Sequence, residues 1–159
     1  SFDASNLDGP ATLTVGLQVC DDREECDTAS ATITITNVPP VAANDRPAQT
    51  VQYPNQVAAV TVTYSDVTPD MPLTVATTWT ANGGAAQPGL PAGLALTAPV
   101  CTPDGARTTC TLSTEVGSKL AVGDYVVTVT VSDDDDGVAS TEFAITVEAA
   151  RFFLPLISR

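Results

Sequence analysis

The chain has no histidine among its 159 residues. Histidine is the side chain whose unperturbed pKa lies closest to neutral pH, so its absence removes the commonest general base of enzymes. No serine or cysteine has such a base as its partner, and no two carboxylates are marked out as an acid–base pair. We therefore predict that the protein is not an enzyme and needs no cofactor for catalysis.

Basic residues are scarce as well. Only six lysines and arginines oppose 19 aspartates and glutamates, which gives a formal net charge of −13. A surface of that sign repels nucleic acid and anionic membranes, and no basic patch offsets it. No apolar run is long enough to span a bilayer. Residues 1–10 lack the basic start and apolar core of a signal peptide, so if the protein is secreted we expect this to be a mature or excised form.

Aromatic residues make up only 5% of the chain, with a single tryptophan. Tyr64, Trp79 and Tyr125 are the residues that a carbohydrate platform would use. They are scattered over separate predicted strands, so we expect at least two of them to pack in a core or at a sheet edge. Carbohydrate binding therefore stays an alternative that no motif supports.

What the sequence does contain is a β pattern. Leu13, Val15, Leu17 and Val19 alternate with polar or small residues, and such a period of two is typical of a half-buried strand. Threonine and valine favour strands, and 12 prolines with 10 glycines break the chain into short segments. The pattern predicts an all-β fold, an antiparallel β-sandwich without helices.

Two segments, residues 13–36 and residues 125–147, share one plan: an alternating strand, an acidic turn and a second alternating strand. We expect the first turn to be two residues longer than the second. A long β-like stretch precedes the second copy, whereas little precedes the first. The sequence thus predicts one complete sandwich preceded by a partial one, which could not close its own core.

These patterns divide the chain into four parts. Residues 1–38 form a partial β unit that lacks its first strands, and residues 39–48 form a proline-rich linker. The prolines of the segment 37–47 are expected to prevent regular strand pairing there. Residues 49–148 form the complete sandwich, and residues 149–159 form an apolar tail.

The four cysteines form two close pairs, Cys20 with Cys26 and Cys101 with Cys110. Each pair flanks a polar turn between strand-like segments, where facing cysteines lie within bridging distance. We predict two local disulfides and therefore an oxidising compartment, with free cytosolic thiols as the alternative. The spacings and the hard acidic turn residues argue against zinc.

Three motifs are similar to known extracellular modules: GLPAGLAL at residues 89–96, TLS at residues 111–113, and VGDYVVTVTVSDDDDGVASTEFAITV at residues 122–147. They resemble the immunoglobulin-like (Ig-like) or cadherin-like family of bacterial surface proteins. The segment TLTVGLQVCDD with TASATITITNVPPVA resembles the end of a polycystic-kidney-disease (PKD) domain. The resemblance implies Ig-like sandwiches at the cell surface, strung in tandem, and carries no catalytic residues.

The densest charge is the run Asp133, Asp134, Asp135 and Asp136. Calcium accepts flexible oxygen cages, so a calcium site competes here with a solvated hairpin tip. The alternating acids and distal glutamate of an EF-hand are absent. The acidic tip at residues 21–25 has the same two interpretations. Cadherin-type chains place calcium at domain junctions, so Asn44 and Asp45 are a further candidate, with a simple bend as the alternative.

The tail 151–159 is apolar and flanked by arginines. Its large side chains make it a candidate donor strand: Phe152, Phe153, Leu154, Leu156 and Ile157. If it fills the vacancy in the partial unit of another copy, the protein self-associates head to tail into a surface filament. Packing of the tail on its own domain is one alternative. The other is a spacer or binding module, an adhesin or carbohydrate-associated one, at the end of a larger secreted protein.

Overall fold

The structure is a computed structural model that describes Leu7 and residues 9–116 and 119–150. Over these ranges the fold is all-β, as predicted, with one short 3-10 helix at Thr68–Asp70. The strands are β1 (Ala11–Cys20), β2 (Cys26–Ile35), β3 (Val41–Asn44), β4 (Ala48–Gln52), β5 (Thr61–Val67), β6 (Thr74–Ala81), β7 (Gln87–Pro88), β8 (Leu94–Leu96), β9 (Val100–Asp104), β10 (Arg107–Val116), β11 (Gly123–Ser132) and β12 (Val138–Glu148).

Strands β3 to β12 form two sheets of a sandwich. In the first sheet β3 pairs with β5, β5 with β10, and the free edge of β10 pairs with both β9 and β8. The second sheet has the order β4-β12-β11-β6-β7. All of these pairs are antiparallel except β4–β12, which is parallel. This is the arrangement in which two sheets bury one apolar face each.

The strand order is that of an Ig-type sandwich. The opening, second, fifth and fourth strands of that fold form one sheet and its third, sixth and seventh strands form the other. Here β3, β5, β10 and β8 form the first set, and β6, β11 and β12 form the second. Tyr125 lies near the start of β11, and its hydroxyl donates a hydrogen bond of 3.1 Å to the carbonyl of Ala121. This contact is the tyrosine corner found at the same place in Ig folds.

The core lies between the two sheets. Every second residue of β11 is buried, and Val127, Val129 and Val131 have no exposed surface. They face Val62 and Leu112 of the opposite sheet within one apolar cluster. The alternation in the sequence therefore reports burial on one face of a strand, as expected for a sandwich.

Strands β1 and β2 form a separate two-stranded sheet. Their register repeats that of β11 and β12 over all ten pairs: Ala11–Ile35 corresponds to Gly123–Val147, and Cys20–Cys26 corresponds to Ser132–Val138. The two hairpins therefore have connecting loops of the same length. The expectation that the first turn is two residues longer is wrong, because the pairing register fixes the ends of both loops.

The proline-rich segment also differs from expectation. Val41–Asn44 pairs with β5 as an edge strand of the first sheet. The prediction that prolines prevent pairing there is wrong, because Pro39, Pro40 and Pro47 lie outside the four paired residues and an edge strand needs donors on one side only. The proposed division at 38, 48 and 148 stays a prediction.

Candidate functional site

An apolar stripe on β1 is the most unusual surface of the hairpin. Its four members are exposed: Leu13 by 38%, Val15 by 50%, Leu17 by 62% and Val19 by 60%. The residues at the same register positions of β11 are the core residues Tyr125, Val127, Val129 and Val131, of which the three valines are fully buried. The same pattern thus forms a core in one hairpin and an open surface in the other.

The edges of this hairpin are open as well. Within the residues that the structure describes, β1 pairs only with β2, and β2 only with β1. In the sandwich the corresponding edges are occupied, because β6 pairs with β11 and β4 pairs with β12. A long apolar edge strand with unpaired backbone groups is a template for strand addition. Among the described residues, the hairpin therefore exposes both an apolar face and two backbone edges.

The two hairpin tips have the same backbone conformation. Oδ1 of Asp21 accepts the N–H groups of Arg23 and Glu25 at 2.9 Å each. Oδ1 of Asp133 accepts those of Asp135 and Gly137 at 3.0 and 2.6 Å. The first acid of each run thus organises its own turn, as aspartate does in Asx turns.

The second tip brings acidic side chains together. Carboxylate oxygens of Asp66, Asp70 and Asp133 lie within 4.8 Å of one another, and so do those of Asp70, Asp134 and Asp135. Asp66 ends up fully buried and Asp70 is only 7% exposed. These five residues, which we call the acidic cluster, come from the end of β5, the 3-10 helix and the β11–β12 loop.

The donor set of the acidic cluster fits a hard divalent cation. Calcium binds carboxylate oxygens at about 2.3–2.6 Å, so one ion spans oxygens that lie up to about 5 Å apart. Buried carboxylates are normally paired with a cation or with hydrogen-bond donors, because the charged form is costly to desolvate. The residues that would hold calcium are therefore Asp66, Asp70, Asp133, Asp134 and Asp135.

Asn37 connects the segment after β2 to this cluster. Its amide nitrogen donates to Asp133 Oδ2 at 3.1 Å and to the carbonyl of Asp135 at 3.0 Å. Its amide oxygen is buried and has no hydrogen-bond partner. That leaves a further oxygen at the cluster's edge which a cation or water could use. We call Asn37 and the acidic cluster together the acidic junction.

The other candidate ligands lie elsewhere. Asn44 donates to Thr141 Oγ1 at 2.8 Å and to the Glu142 carbonyl at 2.9 Å, and Asp45 Oδ1 accepts the N–H of Thr61 at 2.8 Å. Both side chains thus fix backbone between strands, and neither belongs to the acidic cluster. Asp136 is exposed in a left-handed conformation with φ of 68° and stays outside the cluster too.

Both predicted disulfides are present. Cys20 bridges Cys26 directly across the first hairpin, and Cys101 bridges Cys110 across β9 and β10, with Cα–Cα distances of 3.9 and 4.0 Å. No described cysteine is free. Two disulfides indicate an oxidising, non-cytoplasmic environment.

Tyr64, Trp79 and Tyr125, the residues considered for a carbohydrate platform, pack in the core or against it. Tyr64 is 3% and Tyr125 is 9% exposed, and the Trp79 and Tyr125 rings pack with centroids 6.1 Å apart. The candidate donor residues Phe152, Phe153, Leu154, Leu156 and Ile157 lie outside the described residues.

Sequence reasoning missed three members of the acidic junction. Asp66, Asp70 and Asn37 reach the β11–β12 loop only through the fold, from positions far away along the chain. The one local signal was that Asp66 and Asp70 both lie in the segment 66–72, which follows a predicted strand and has the pattern of a turn. Asp133, Asp134 and Asp135, by contrast, were marked by the run of adjacent aspartates, whose fourth member, Asp136, lies outside the cluster.

Comparison with known proteins adds no family. No protein-family model matches the chain, and no curated protein is significantly similar to it in sequence. Among the described residues, no helix has the length and apolar character needed to cross a membrane. The class that the observations define is therefore an all-β, disulfide-bonded Ig-type sandwich with an open hairpin.

Proposed function

We propose that the chain is a non-catalytic structural module of an extracellular protein, and that copies join head to tail by strand addition to the open hairpin. One observation carries the proposal: Leu17 is 62% exposed where its counterpart Val129 is fully buried. Contiguous apolar surface of this kind marks an interaction site on a soluble protein. Covering it is favourable because apolar area leaves water.

The proposed donor is the segment 151–159. Its residues Phe152, Phe153, Leu154, Leu156 and Ile157 would add an apolar strand to the hairpin of the next copy, as in other cases of β-strand addition. A contact between the end of one copy and the hairpin of another uses two different surfaces. Such a heterologous contact propagates as a filament.

Light scattering on the purified chain tests this assembly. The full chain is expected to form concentration-dependent polymers, visible as filaments by electron microscopy, and the chain that ends at Ala150 is expected to be monomeric. Polymers that persist without residues 151–159 would rule out the donor role. Monomers of the full chain at high concentration would rule out the assembly itself.

A second candidate function is a spacer or binding module within a longer secreted polypeptide. The observation that favours it is the identical register of β1–β2 and β11–β12, which makes the first hairpin equivalent to the closing hairpin of a sandwich. Here the preceding part of the same polypeptide would cover the stripe, and an adhesive or carbohydrate-associated domain would stand beyond it. Mass spectrometry of the native N-terminus discriminates, since a longer polypeptide supports the spacer.

We further propose that calcium binds the acidic junction as a structural ion. Support comes from the convergence of five carboxylates from three segments, two of them buried, next to the amide of Asn37. An ion there would hold the segment after β2 against the end of the sandwich. Its role would be to fix the direction in which the hairpin leaves the sandwich.

A further inference from the structure

We infer that the donor segment of a second copy pairs with the free edge of β1, antiparallel to it, with Pro155 opposite Leu17. The inference rests on the proposed head-to-tail assembly and specifies the edge, the direction and the register of the contact. It follows from the backbone of the hairpin, the equivalence with the sandwich and the place of the single proline in the segment.

The choice of edge comes from the equivalent hairpin. On β11 the outer edge carries the eight-residue antiparallel strand β6, whereas the outer edge of β12 carries only five paired residues of β4. A nine-residue segment matches the longer site. Cross-strand neighbours also favour β1, because β1 presents leucine and valine where β2 presents Ala29 and Ala31.

The outward backbone groups of β1 can be assigned. The N–H of Asp21 donates to the Glu25 carbonyl at 2.9 Å, so that pair is hydrogen-bonded and the pairs alternate from there. Five residues therefore direct their N–H and C=O to the free edge: Cys20, Gln18, Gly16, Thr14 and Thr12. The sandwich confirms the alternation, since Asn82 donates at 2.7 Å to the carbonyl of Asp124, the counterpart of Thr12.

Pro155 then fixes which residues of the donor face which residues of β1. Proline has no N–H, so it fits only opposite a residue that makes no hydrogen bond across this edge. Those residues are the stripe residues themselves. Every allowed register therefore puts Phe153 and Ile157 on the stripe's face and leaves the N–H groups of Leu154 and Leu156 to bond β1.

Among these registers, the one with Pro155 opposite Leu17 gives both Arg151 and Leu156 a favourable position against the hairpin. It sets Arg151 opposite Asp21 in the acidic tip, which pairs opposite charges in a chain of net charge −13. It also sets Leu156 opposite Gly16, whose would-be Cβ meets no atom within 4 Å. A groove of about 300 Å³ runs past Gly16 between Gln18 and Ser30 and has room for a leucine side chain.

A second copy must supply the segment. Asn37 contacts the loop at the start of β12, whereas residue 151 follows its end, ~35 Å away at the rise of a strand. Nine extended residues span only ~30 Å. Both faces of β1 and β2 are exposed except near the hairpin base, so the hairpin stands clear of the sandwich. The segment that runs along β1 from Cys20 towards Leu13 therefore comes from another copy.

Synthetic nine-residue peptides of sequence RFFLPLISR test the register against the full chain. N-methylation at Leu154 or Leu156 removes a donor that β1 needs and is expected to weaken binding about tenfold or more in fluorescence anisotropy. N-methylation at Phe153 or Ile157 is the matched control and should leave binding within about twofold. The unmodified peptide and the two controls should also shorten the polymers.

The outcomes separate the register from the assembly. The inference is overturned if N-methylation at Phe153 or Ile157 weakens binding and N-methylation at Leu154 or Leu156 does not. It is also overturned if a benzophenone at position 153 crosslinks only to β2. The proposed function would still stand in either case, provided that polymer formation requires residues 151–159. Crosslinks to β1 around Val19 with the expected pattern support the inference. Peptides that fail to bind a chain whose polymers still require residues 151–159 would also overturn it.

Discussion

At the scale of single residues, Gly137 marks the tightest point of the acidic junction. A Cβ there would clash with the Asp133 carboxylate and would lie 3.0 Å from the amide nitrogen of Asn37. Gly137→Ala is therefore expected to displace Asn37 and to lower the free energy of unfolding by about 1–3 kcal/mol. Urea denaturation measures the loss, and the NMR signals of the Asn37 amide report the displacement. Gly16→Ala, with open space at its Cβ, should change neither, and equal effects of both substitutions would refute the assignment.

Asp70 belongs to both carboxylate groups of the acidic cluster, so removing its charge tests the proposed calcium site most directly. Calcium should raise the melting temperature of the full chain, because a ligand at 100 times its Kd stabilises the folded state by about 2.7 kcal/mol. Asp70→Asn should abolish this response in a thermal melt with and without chelator. Asp104→Asn, at an exposed position of β9, is the control and should keep it. A parent chain indifferent to calcium would contradict the proposed site.

Tyr64 makes the folding stability of the sandwich depend on pH in the alkaline range. Burial raises the pKa of its hydroxyl above the usual value of 10.0. The unfolded chain therefore loses this proton at lower pH than the folded one. The contribution of Tyr64 to the free energy of unfolding is fully present below about pH 10 and is lost as pH rises through the pKa of the folded state. Stability measured by urea at a series of pH values should show this decline, and Tyr64→Phe should flatten it. A parallel decline in both proteins would assign it to other groups.

At the scale of secondary-structure elements, the two equivalent hairpins permit a matched pair of substitutions. Val127→Thr buries a hydroxyl in the core and is expected to cost about 1–3 kcal/mol of unfolding free energy. Val15→Thr, at the same register position of β1, should change stability by less than about 0.5 kcal/mol. It should instead weaken polymer formation. Chemical denaturation and light scattering measure the two effects, and a similar loss of stability in both would contradict the open hairpin.

Local sequence patterns predicted many of the strands and both disulfides, but none of the contacts between segments that are distant along the chain. Alternation identified β1, β2, β11 and β12 because each has a polar and an apolar face, and the close cysteine pairs predicted both disulfides. The strand Val41–Asn44 was missed because prolines dominate its surroundings, while its pairing with β5 is set by the fold. Asp66 and Asp70 carry no local mark of their proximity to Asp133. Contacts of that kind depend on strand order, which periodicity does not encode.

At the scale of the whole molecule, the sandwich and the hairpin differ in how complete they are. The sandwich buries an apolar core between two five-stranded sheets, whereas no strand among the described residues packs as an opposing sheet on the hairpin, which has the same register and loop length. A closed sandwich and an open hairpin are thus both present among the described residues. Asn37 and the acidic cluster lie where the two meet. The proposed head-to-tail assembly would use both parts, with the sandwich as the stable body of each copy and the stripe on β1 as the surface that the donor covers.

The parallel pairing of β4 with β12 has a mechanical consequence. Tension along the polypeptide pulls Ala48 and Glu148 towards opposite ends of this pair, so its five residue pairs are loaded together in shear. Tension on β1 and β2 acts at Ala11 and Ile35, at the same end, and opens their pairs one after another. Single-molecule pulling should show the hairpin unzipping at low force before the sandwich ruptures at a much higher one. Under load, the Cys20–Cys26 bridge would limit how far the hairpin extends, while the sandwich would bear the force without unfolding.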